Sequence, residues 1–226
     1  MRRSALHRWY VGTIWARHNT SRPIQQALHR VLRELDASHA PGLNVGCGAT
    51  DLHPRMLRVD VDPSARPDSL SSADGLPFAD NTFSVAVSQE VLEHLREPQL
   101  ALAELARVVR PGGLLYLQTP FIIGYHAAPA DYWRFTNEGV AAMLQRAGLV
   151  VESLEPAVGP GTGLYRIIVE FAAVLAARLY APAYLPAKGL AAALLAPLRW
   201  FDSWLIVGEQ RWRIPGGCLA LARKPT

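Results

Sequence analysis

The chain has 226 residues, enough for one α/β domain with a large hydrophobic core. Two independent domains would each have few residues from which to build a core. Half of the residues are hydrophobic, which excludes an intrinsically disordered chain. The net charge of +4 indicates a mildly basic surface that nucleic acid or an anionic membrane can exploit. Two cysteines exclude a disulfide framework and favour a reducing compartment, so a cytoplasmic location is expected.

Residues 1–22 are predicted to be a basic, aromatic N-terminal arm. The segment mixes five arginines with three aromatic side chains and lacks the continuous apolar run of a signal peptide. Such an arm can lie on an anionic membrane surface, with rings at headgroup depth and arginines on the lipid. It can equally cover the core of the domain, and the sequence leaves both interpretations open.

Helices and buried strands alternate along the rest of the chain. A helix begins at Pro23 with an apolar face that extends to Leu35. Two further helices are expected, the first with Pro98 at its start and the second with Thr136 as its N-cap and Gly148 at its end. The first of these spans 97–110, and Pro111-Gly112-Gly113 is its predicted stop. Strands are predicted at 43–45, 56–61, 83–87, 114–118, 150–154 and 217–222.

This alternation predicts an α/β fold with a doubly wound, mostly parallel, seven-stranded Rossmann-like sheet, and with helices on both faces. A helical insert is expected before the last strand, because residues 159–207 are rich in Ala and Leu, broken by prolines, and too interrupted to span a membrane. This insert can be a lid, a dimer surface, a membrane contact or helices packed on the sheet. Residues 23–226 would then form one domain that contains the insert.

The segment 43–119 contains several short motifs whose order along the chain is informative about function. It begins with Asn44-Val45-Gly46-Cys47-Gly48 after a strand, continues with Asp60 at the end of the next strand, and reaches Pro111-Gly112-Gly113. An NAD fingerprint is disfavoured, because Asp51 stands where its third glycine belongs. The ordered set resembles the class I S-adenosylmethionine-dependent methyltransferases, especially the small-molecule type 11 group.

The resemblance implies S-adenosylmethionine as cofactor and places its binding residues on the matching positions. The first loop would hold the methionine portion, Asp60 followed by Val61 would bind the ribose hydroxyls, and Asp74-Gly75-Leu76 would contact adenine, with Asp74 on the amine and Leu76 against the ring. Ser88-Gln89-Glu90 would follow the fourth strand, where Glu90 either approaches the cofactor's amino group or is solvated. The implied cofactor-binding residues are Asn44, Gly46, Cys47, Gly48, Asp60, Val61, Asp74, Gly75, Leu76, Ser88, Gln89 and Glu90.

Three features depart from the family pattern. Asn44 stands where the family usually has an aspartate. Its amide oxygen would therefore have to accept the hydrogen bond that the aspartate carboxylate accepts elsewhere in the family. Thr50 stands where a third small glycine is common. Only residues 49–56 connect the glycine turn to the second strand, which is too short for a full crossover helix and predicts at most about one helical turn.

A second polar cluster, residues 126–136, follows the fifth strand, where ligand clefts form in parallel sheets. His126 or Asp131 can take a proton from an acceptor hydroxyl, and Tyr132 and Trp133 can line the acceptor pocket. The candidate catalytic residues are therefore His126, Asp131 and Tyr132. Alternatively, Asp131 pairs with Arg134 and the aromatic rings close the core.

No metal site is predicted, because Glu93 and His94 are two neighbouring side chains without the ligand spacings expected for zinc. His94 is expected to cap or pack in the turn after the fourth strand.

The sequence thus predicts an S-adenosylmethionine-dependent methyltransferase with a small or lipid-linked, glycan-type acceptor, docked on the inner face of the cell membrane. The alternative is a non-catalytic, cofactor-binding regulatory or partner-binding module, favoured by Asn44 and the short connection. Modification of nucleic acid is not expected, since only the net charge favours it. The oligomeric state is left open.

Overall fold

The computed structural model describes residues 21–226, so most of the predicted N-terminal arm lies outside the described residues. The chain divides into two compact units. The sheet unit comprises residues 26–121, 125–155 and 218–226, and the helical unit comprises residues 122–124 and 156–217 together with the described residues 21–25. The sequence assigned 23–226 to one domain with an insert at 159–207, whereas the helical unit has wider bounds.

The sheet has seven strands in the order β3-β2-β1-β4-β5-β7-β6. The pairs β1–β2, β1–β4, β2–β3 and β4–β5 are parallel. Order and direction confirm the predicted doubly wound α/β fold, and β3 is the strand that the sequence did not locate. The strands are β1 (Gly42–Val45), β2 (Met56–Asp60), β3 (Ser69–Leu70), β4 (Phe83–Gln89), β5 (Val109–Pro120), β6 (Val150–Val158) and β7 (Gly217–Arg223).

Strand β1 is central and fully buried, which explains its apolar composition. Its last residue, Val45, pairs with Val59 on β2 and with Ser88 on β4. The residues that follow these three strands therefore meet at one edge of the sheet. No helix lies between β1 and β2, as the eight-residue connection predicts.

Three α-helices accompany the strands: α1 (Arg22–Asp36), α2 (Pro98–Val108) and α3 (Asn137–Arg146). Pro98 begins α2, as predicted. The N-cap of α3 is also confirmed, because Thr136 Oγ1 accepts a hydrogen bond from Gly139 N at 3.1 Å. Gly148 follows α3 with a φ of +78°, the left-handed conformation that ends helices.

The predicted end of α2 and start of β5 are wrong. The helix ends at Val108, and β5 begins at Val109 and includes Pro111-Gly112-Gly113. Backbone pairing starts earlier because Thr82 N donates to Val108 O at 2.8 Å. Gly113 permits this path, since a Cβ there would lie 2.8 Å from Ser84 O. The glycine therefore serves close strand approach rather than helix termination.

The helical unit contains α4 (Pro160–Leu179), α5 (Tyr184–Leu195) and α6 (Asp202–Leu205). Helices in the segment before the last strand confirm that part of the predicted fold. Tyr165 and Val169 of α4 pack with Ala192 of α5 in a small core. Within residues 21–226, no helix combines the length and apolar character that crossing a membrane requires.

Candidate active site

The glycine loop after β1 is shaped by a close approach to the segment after β4. Gly46 N and Cys47 N both donate to Val59 O, at 2.8 and 3.1 Å. Gly46 has a φ of +67°, and a Cβ there would lie 2.2 Å from Val91 Cγ2. Any larger residue would strain the backbone and collide with Val91. The Gly-Cys-Gly turn is thus a structural requirement of this edge of the sheet.

Asp60 binds the loop from the end of β2. Its Oδ2 accepts from Gly48 N at 2.8 Å, and its Oδ1 accepts from Asp62 N at 2.9 Å. Each carboxylate oxygen can accept a further hydrogen bond, so a ribose diol can still bind. Gly48 has a φ of +50° and open space where a Cβ would stand, and Val61 is exposed beside it. A loop, a carboxylate and free space therefore meet here.

Asn44 and Cys47, two further predicted cofactor residues, are buried. Asn44 Nδ2 donates to Thr50 O at 3.3 Å, which leaves its amide oxygen as an acceptor. Burial raises the pKa of the Cys47 thiol, so this cysteine is a packing residue and not a thiolate nucleophile. The contact of Asn44 with the cofactor stays a prediction.

The predicted adenine segment is fixed by an ion pair on α2. Leu76 N donates to Glu104 Oε2 at 2.8 Å, and Arg107 Nη2 donates both to Leu76 O at 3.0 Å and to Glu104 Oε2 at 2.8 Å. Asp74 and Gly75 are exposed, whereas Leu76 is buried. Asp74 is therefore accessible to a ligand, and the sequence did not anticipate the supporting pair.

The end of β4 carries polar side chains linked to β5. Gln89 Nε2 lies 3.3 Å from both Tyr116 Oη and Gln118 Oε1, and Gln118 Nε2 donates to Glu90 Oε1 at 3.3 Å. Glu90 has a left-handed φ of +53°. Ser88 is buried, and its Oγ has no hydrogen-bond partner within residues 21–226. Buried polar atoms without partners are few in folded proteins, and a ligand at this edge could satisfy Ser88 Oγ.

The segment Leu92–His94 forms a single 3-10 turn after β4 and turns Glu93 into the interior. Glu93 is fully buried, and neither carboxylate oxygen has a hydrogen-bond partner within the described chain. Its Oε1 lies 3.6 Å from His94 Nε2 and 3.6 Å from His126 Nε2. Burial raises the pKa of the Glu93 carboxyl. We call Glu93, His94 and His126 the Glu93 cluster.

Each histidine of the Glu93 cluster is held through its other ring nitrogen. His94 Nδ1 lies 2.6 Å from Ala130 O, so this nitrogen carries the proton and donates it. His126 Nδ1 lies 3.4 Å from Asp131 Oδ2 and 3.3 Å from Arg134 Nη2. The packing predicted for His94 after β4 is thus present, but with a specific hydrogen bond.

Asp131 is committed to Arg134. Arg134 donates to both carboxylate oxygens, at 2.5 and 2.7 Å, and His126 N donates to Oδ2 at 2.8 Å. The guanidinium lowers the pKa of Asp131 to about 2. A carboxylate of such low basicity is a weak general base, and the alternative pairing that the sequence offered for this residue is the one found.

Tyr132 and Trp133 are partly exposed. Trp133 Nε1 donates to Leu95 O at 2.9 Å, and Tyr132 N donates to Glu93 O at 2.7 Å. These bonds join the segment after β5 to the turn after β4, with both rings on the surface. The rings do not close the core, so they are available to an acceptor molecule.

The structure thus gathers predicted cofactor residues at the loop with Asp60 and at the polar end of β4, while residues 74–76 lie in a separate segment held by α2. It also joins His126 to Glu93 and His94, which lie more than 30 positions earlier. Sequence reasoning missed this meeting, because residues 121–136 form an irregular segment whose path no periodicity specifies.

Comparison with known proteins matches residues 37–117 to a family described as a methyltransferase domain. A demethylmenaquinone methyltransferase of Corynebacterium urealyticum is 38% identical over 91 residues, 38% of each chain. A ubiquinone biosynthesis O-methyltransferase of Rhizobium johnstonii is 34% identical over 76 residues, 34% of this chain and 28% of the relative. The chain spans less than half the length of these curated relatives.

Among solved structures, the 1,6-didemethyltoxoflavin-N1-methyltransferase of Burkholderia thailandensis, with bound 1,6-didemethyltoxoflavin and S-adenosylhomocysteine, shares the fold. The superposition has a TM-score of 0.56 at 15% identity and covers 98% of this chain and 85% of the other. At this identity the likeness concerns architecture alone. The matched segment, 37–117, includes the glycine loop, Asp60 and the polar end of β4. Residues 37–117 thus match a methyltransferase domain, and the sheet order and fold agree with those of S-adenosylmethionine-dependent methyltransferase structures.

Proposed function

We propose that the chain transfers a methyl group from S-adenosylmethionine to a small or lipid-linked acceptor. The observation that carries this proposal is the convergence of Gly48 and Asp60, with an N···O distance of 2.8 Å, beside open space at the edge of the sheet. Ser88 Oγ at the end of β4, which has no hydrogen-bond partner within residues 21–226, adds a buried polar atom that a ligand can satisfy. These residues suit a polar nucleoside ligand.

Three parts of the chain would hold the cofactor in distinct ways. The backbone after Gly46 would bind the methionine portion, Asp60 would accept hydrogen bonds from the ribose hydroxyls, and the exposed Asp74 would accept from the adenine amine. The buried Asn44 keeps the loop in shape. When bound, the cofactor would supply a methyl group on a sulfonium for in-line displacement, with S-adenosylhomocysteine as the leaving group.

The chain's contribution to the reaction is then alignment, because a nucleophile held about 3–3.5 Å from the methyl carbon needs no covalent intermediate. Tyr132 and Trp133 offer exposed rings on which an acceptor can pack. We assign His126 the contact with the acceptor hydroxyl. Asp131 positions His126, since its carboxylate is occupied by Arg134 and by His126 N.

Titration calorimetry with S-adenosylhomocysteine tests the cofactor site. Asp60→Asn removes the charge and one acceptor oxygen, so affinity should fall about tenfold, the loss of one charge-assisted hydrogen bond. Asp68→Asn is the matched control, because Asp68 also accepts a backbone N–H, from Arg58 at 2.8 Å, but away from the loop. Equal affinities for wild type and Asp60→Asn, or no binding at all, would contradict the proposal.

We also propose that the helical unit docks on an anionic membrane surface. Leu179, Trp200 and Trp204 are 87%, 77% and 71% exposed, an unusual set for a surface in water. Residues 156–217 contain six arginines and lysines against three acidic residues. Exposed tryptophans beside basic side chains suit the headgroup region, where each cation near the surface contributes about 1 kcal/mol.

Vesicle flotation tests this contact, with phosphatidylcholine vesicles that contain or lack phosphatidylserine. Wild type should float with the anionic vesicles, and the double variant Trp200→Ser, Trp204→Ser should not. Tyr125→Ser, an exposed aromatic of the sheet unit, should float like wild type. Folded wild type that stays at the bottom of the gradient would remove the membrane contact. Self-association in sedimentation would instead assign this surface to a second copy of the chain.

A further inference from the structure

The Glu93 cluster has distances that fit a shared ion better than hydrogen bonds. Glu93 Oε1 lies 3.6 Å from both His94 Nε2 and His126 Nε2, and the three atoms lie within 4.8 Å of one another. These contacts are long for hydrogen bonds, which span about 2.7–3.2 Å. A tetrahedral ion with bonds of about 2.0–2.1 Å separates its ligand atoms by about 3.3–3.4 Å, close to the two distances of 3.6 Å from Glu93 Oε1.

The burial of Glu93 is a second, independent observation. The residue is 0% exposed, and neither oxygen of its carboxylate has a hydrogen-bond partner within the described chain. A buried carboxylate that accepts no hydrogen bond is unfavourable unless a nearby cation balances its charge. The two imidazoles have side-chain accessibilities of 15% and 21%, while His126 Nε2 itself is buried beside Glu93.

The outer contacts of both histidines suit metal ligation. His94 Nδ1 donates to Ala130 O at 2.6 Å, so the lone pair of His94 is on Nε2, toward Glu93. Asp131 Oδ2 lies 3.4 Å from His126 Nδ1 and Arg134 Nη2 lies 3.3 Å from it, so a carboxylate and a donor both face this nitrogen. A backbone carbonyl and a carboxylate are the usual outer partners of metal-bound histidines. Arg134 forms an ion pair with Asp131. The Asp131 carboxylate therefore offsets the repulsion between the Arg134 guanidinium and a bound cation.

We propose that the Glu93 cluster binds a divalent transition-metal ion of the zinc class through Glu93 Oε1, His94 Nε2 and His126 Nε2. Two imidazoles and one carboxylate form a donor set of catalytic zinc sites, which keep one position open. Imidazole selects zinc, cobalt or nickel over magnesium, which prefers six oxygen ligands. This proposal departs from the expectation that the chain has no metal site.

A metal ion in the Glu93 cluster would act on the acceptor of the proposed methyl transfer. Only this role of the ion, and not its binding, rests on the proposed function. An acceptor hydroxyl bound at the open position would lose its proton more readily, because a metal ion lowers the pKa of a bound oxygen. His126 would then be a ligand rather than the group that contacts the hydroxyl. Metal binding itself is measured without methyl transfer, so either proposal can fail alone.

Cobalt titration tests the site on the full chain without an affinity tag. Protein freed of metal by a chelator should bind one Co²⁺ per chain and develop the visible absorption bands of tetrahedral cobalt. Zinc should displace the cobalt stoichiometrically, and a large excess of magnesium should not. The absence of saturable cobalt binding would overturn the proposal.

Variants locate the ion. Glu93→Gln and His126→Ala should each weaken cobalt binding by more than the ~10- to 100-fold that loss of an outer partner costs, and Asp131→Asn should stay within that range. His53→Ala is the matched control, since this histidine pairs with Asp36 at 3.2 Å outside the cluster. Circular dichroism verifies folding, and the near-isosteric Glu93→Gln decides the matter if His126→Ala does not fold. Unchanged cobalt affinity in folded Glu93→Gln would overturn the proposal.

Discussion

Gly46 occupies a position where both backbone conformation and space exclude other residues. Its φ is +67°, and a Cβ would lie 2.2 Å from Val91 Cγ2. Gly48, two residues later, also has a positive φ but open space around it. At Gly48 glycine is needed only for its backbone conformation. At Gly46 it is needed both for the conformation and because Val91 lies too close for a side chain.

Substitution of these glycines should therefore differ in cost. Gly48→Ala should lower the free energy of unfolding by about 1–2 kcal/mol, the penalty of a left-handed backbone. Gly46→Ala should lower it by about 1–3 kcal/mol more, because the new methyl group overpacks against Val91. Urea denaturation measures both values. Equal losses for the two variants would show that Val91 does not constrain the loop.

At the same scale, the sequence predicted individual residues unevenly. The glycine loop and Asp60 were predictable because motif spacing places them at neighbouring strand ends, and the structure joins them. The contact between Glu93 and His126 was not, because it depends on the path of an irregular segment. That contact is also the basis of the proposed metal site.

At the level of elements, α2 supports the predicted adenine segment through the Glu104–Arg107 pair. Arg107 donates to Glu104 Oε1 at 2.7 Å and to Phe78 O at 2.7 Å, and Glu104 accepts from Leu76 N. The hydrogen bond from Arg107 lowers the pKa of Glu104. A helix thus fixes a loop that has no regular structure of its own.

This support should depend on pH. Because the folded pKa of Glu104 is lowered, its contribution is complete above the unfolded pKa of about 4.3 and is lost as the pH falls through the folded value. Glu104→Gln should therefore cost about 1–2 kcal/mol of unfolding free energy at pH 7 and less at pH 3. Urea denaturation at both pH values checks this, with the exposed Glu97→Gln as control. An equal cost at both would contradict the assignment.

Helix α4 begins with a cap supplied from far along the chain. Asp202 Oδ1 accepts from Gly161 N at 2.7 Å and from Thr162 N at 3.2 Å. No residue of α4 itself supplies this acceptor, and Gly159 just before the helix has no side chain to do so. The carboxylate also interacts favourably with the positive end of the helix.

Loss of this cap should destabilise the helical unit measurably. Asp202→Ala should cost about 0.5–2 kcal/mol, and Asp202→Asn less, because its amide oxygen still accepts one N–H. Thermal and urea denaturation followed by circular dichroism compare the two, with Ser203→Ala as a control for the same turn. A loss for Asp202→Asn as large as that for Asp202→Ala would point to charge rather than capping.

Element boundaries show where sequence patterns fail. Thr136 and Gly148 bound α3 as predicted, because caps depend on local chemistry. Pro111-Gly112-Gly113 resembled a helix stop, yet it lies inside β5, where Gly113 lets the strand approach Ser84 O. That contact joins residues distant in sequence, so no local pattern contains it.

For the whole molecule, the fold class was predictable because alternating buried strands and helices permit few arrangements in a parallel sheet. The two-residue strand β3 was not located, since Ser69 and Leu70 carry no apolar run. The sequence also did not specify what the apolar helical segment does. Composition alone is compatible with a lid, a dimer surface, a membrane contact or packed helices. The exposed tryptophans in the structure are the reason for the membrane proposal.

Methyl transfer to a small or lipid-linked acceptor is tested by incubating the chain with S-adenosylmethionine labelled in the methyl group and with separate lipid, glycan and small-molecule extracts. Label is expected in at least one of these fractions, dependent on the chain and reduced in Asp60→Asn. Saturable binding of the cofactor with no transfer to any fraction would contradict the proposed function and identify a cofactor-binding module that is not an enzyme.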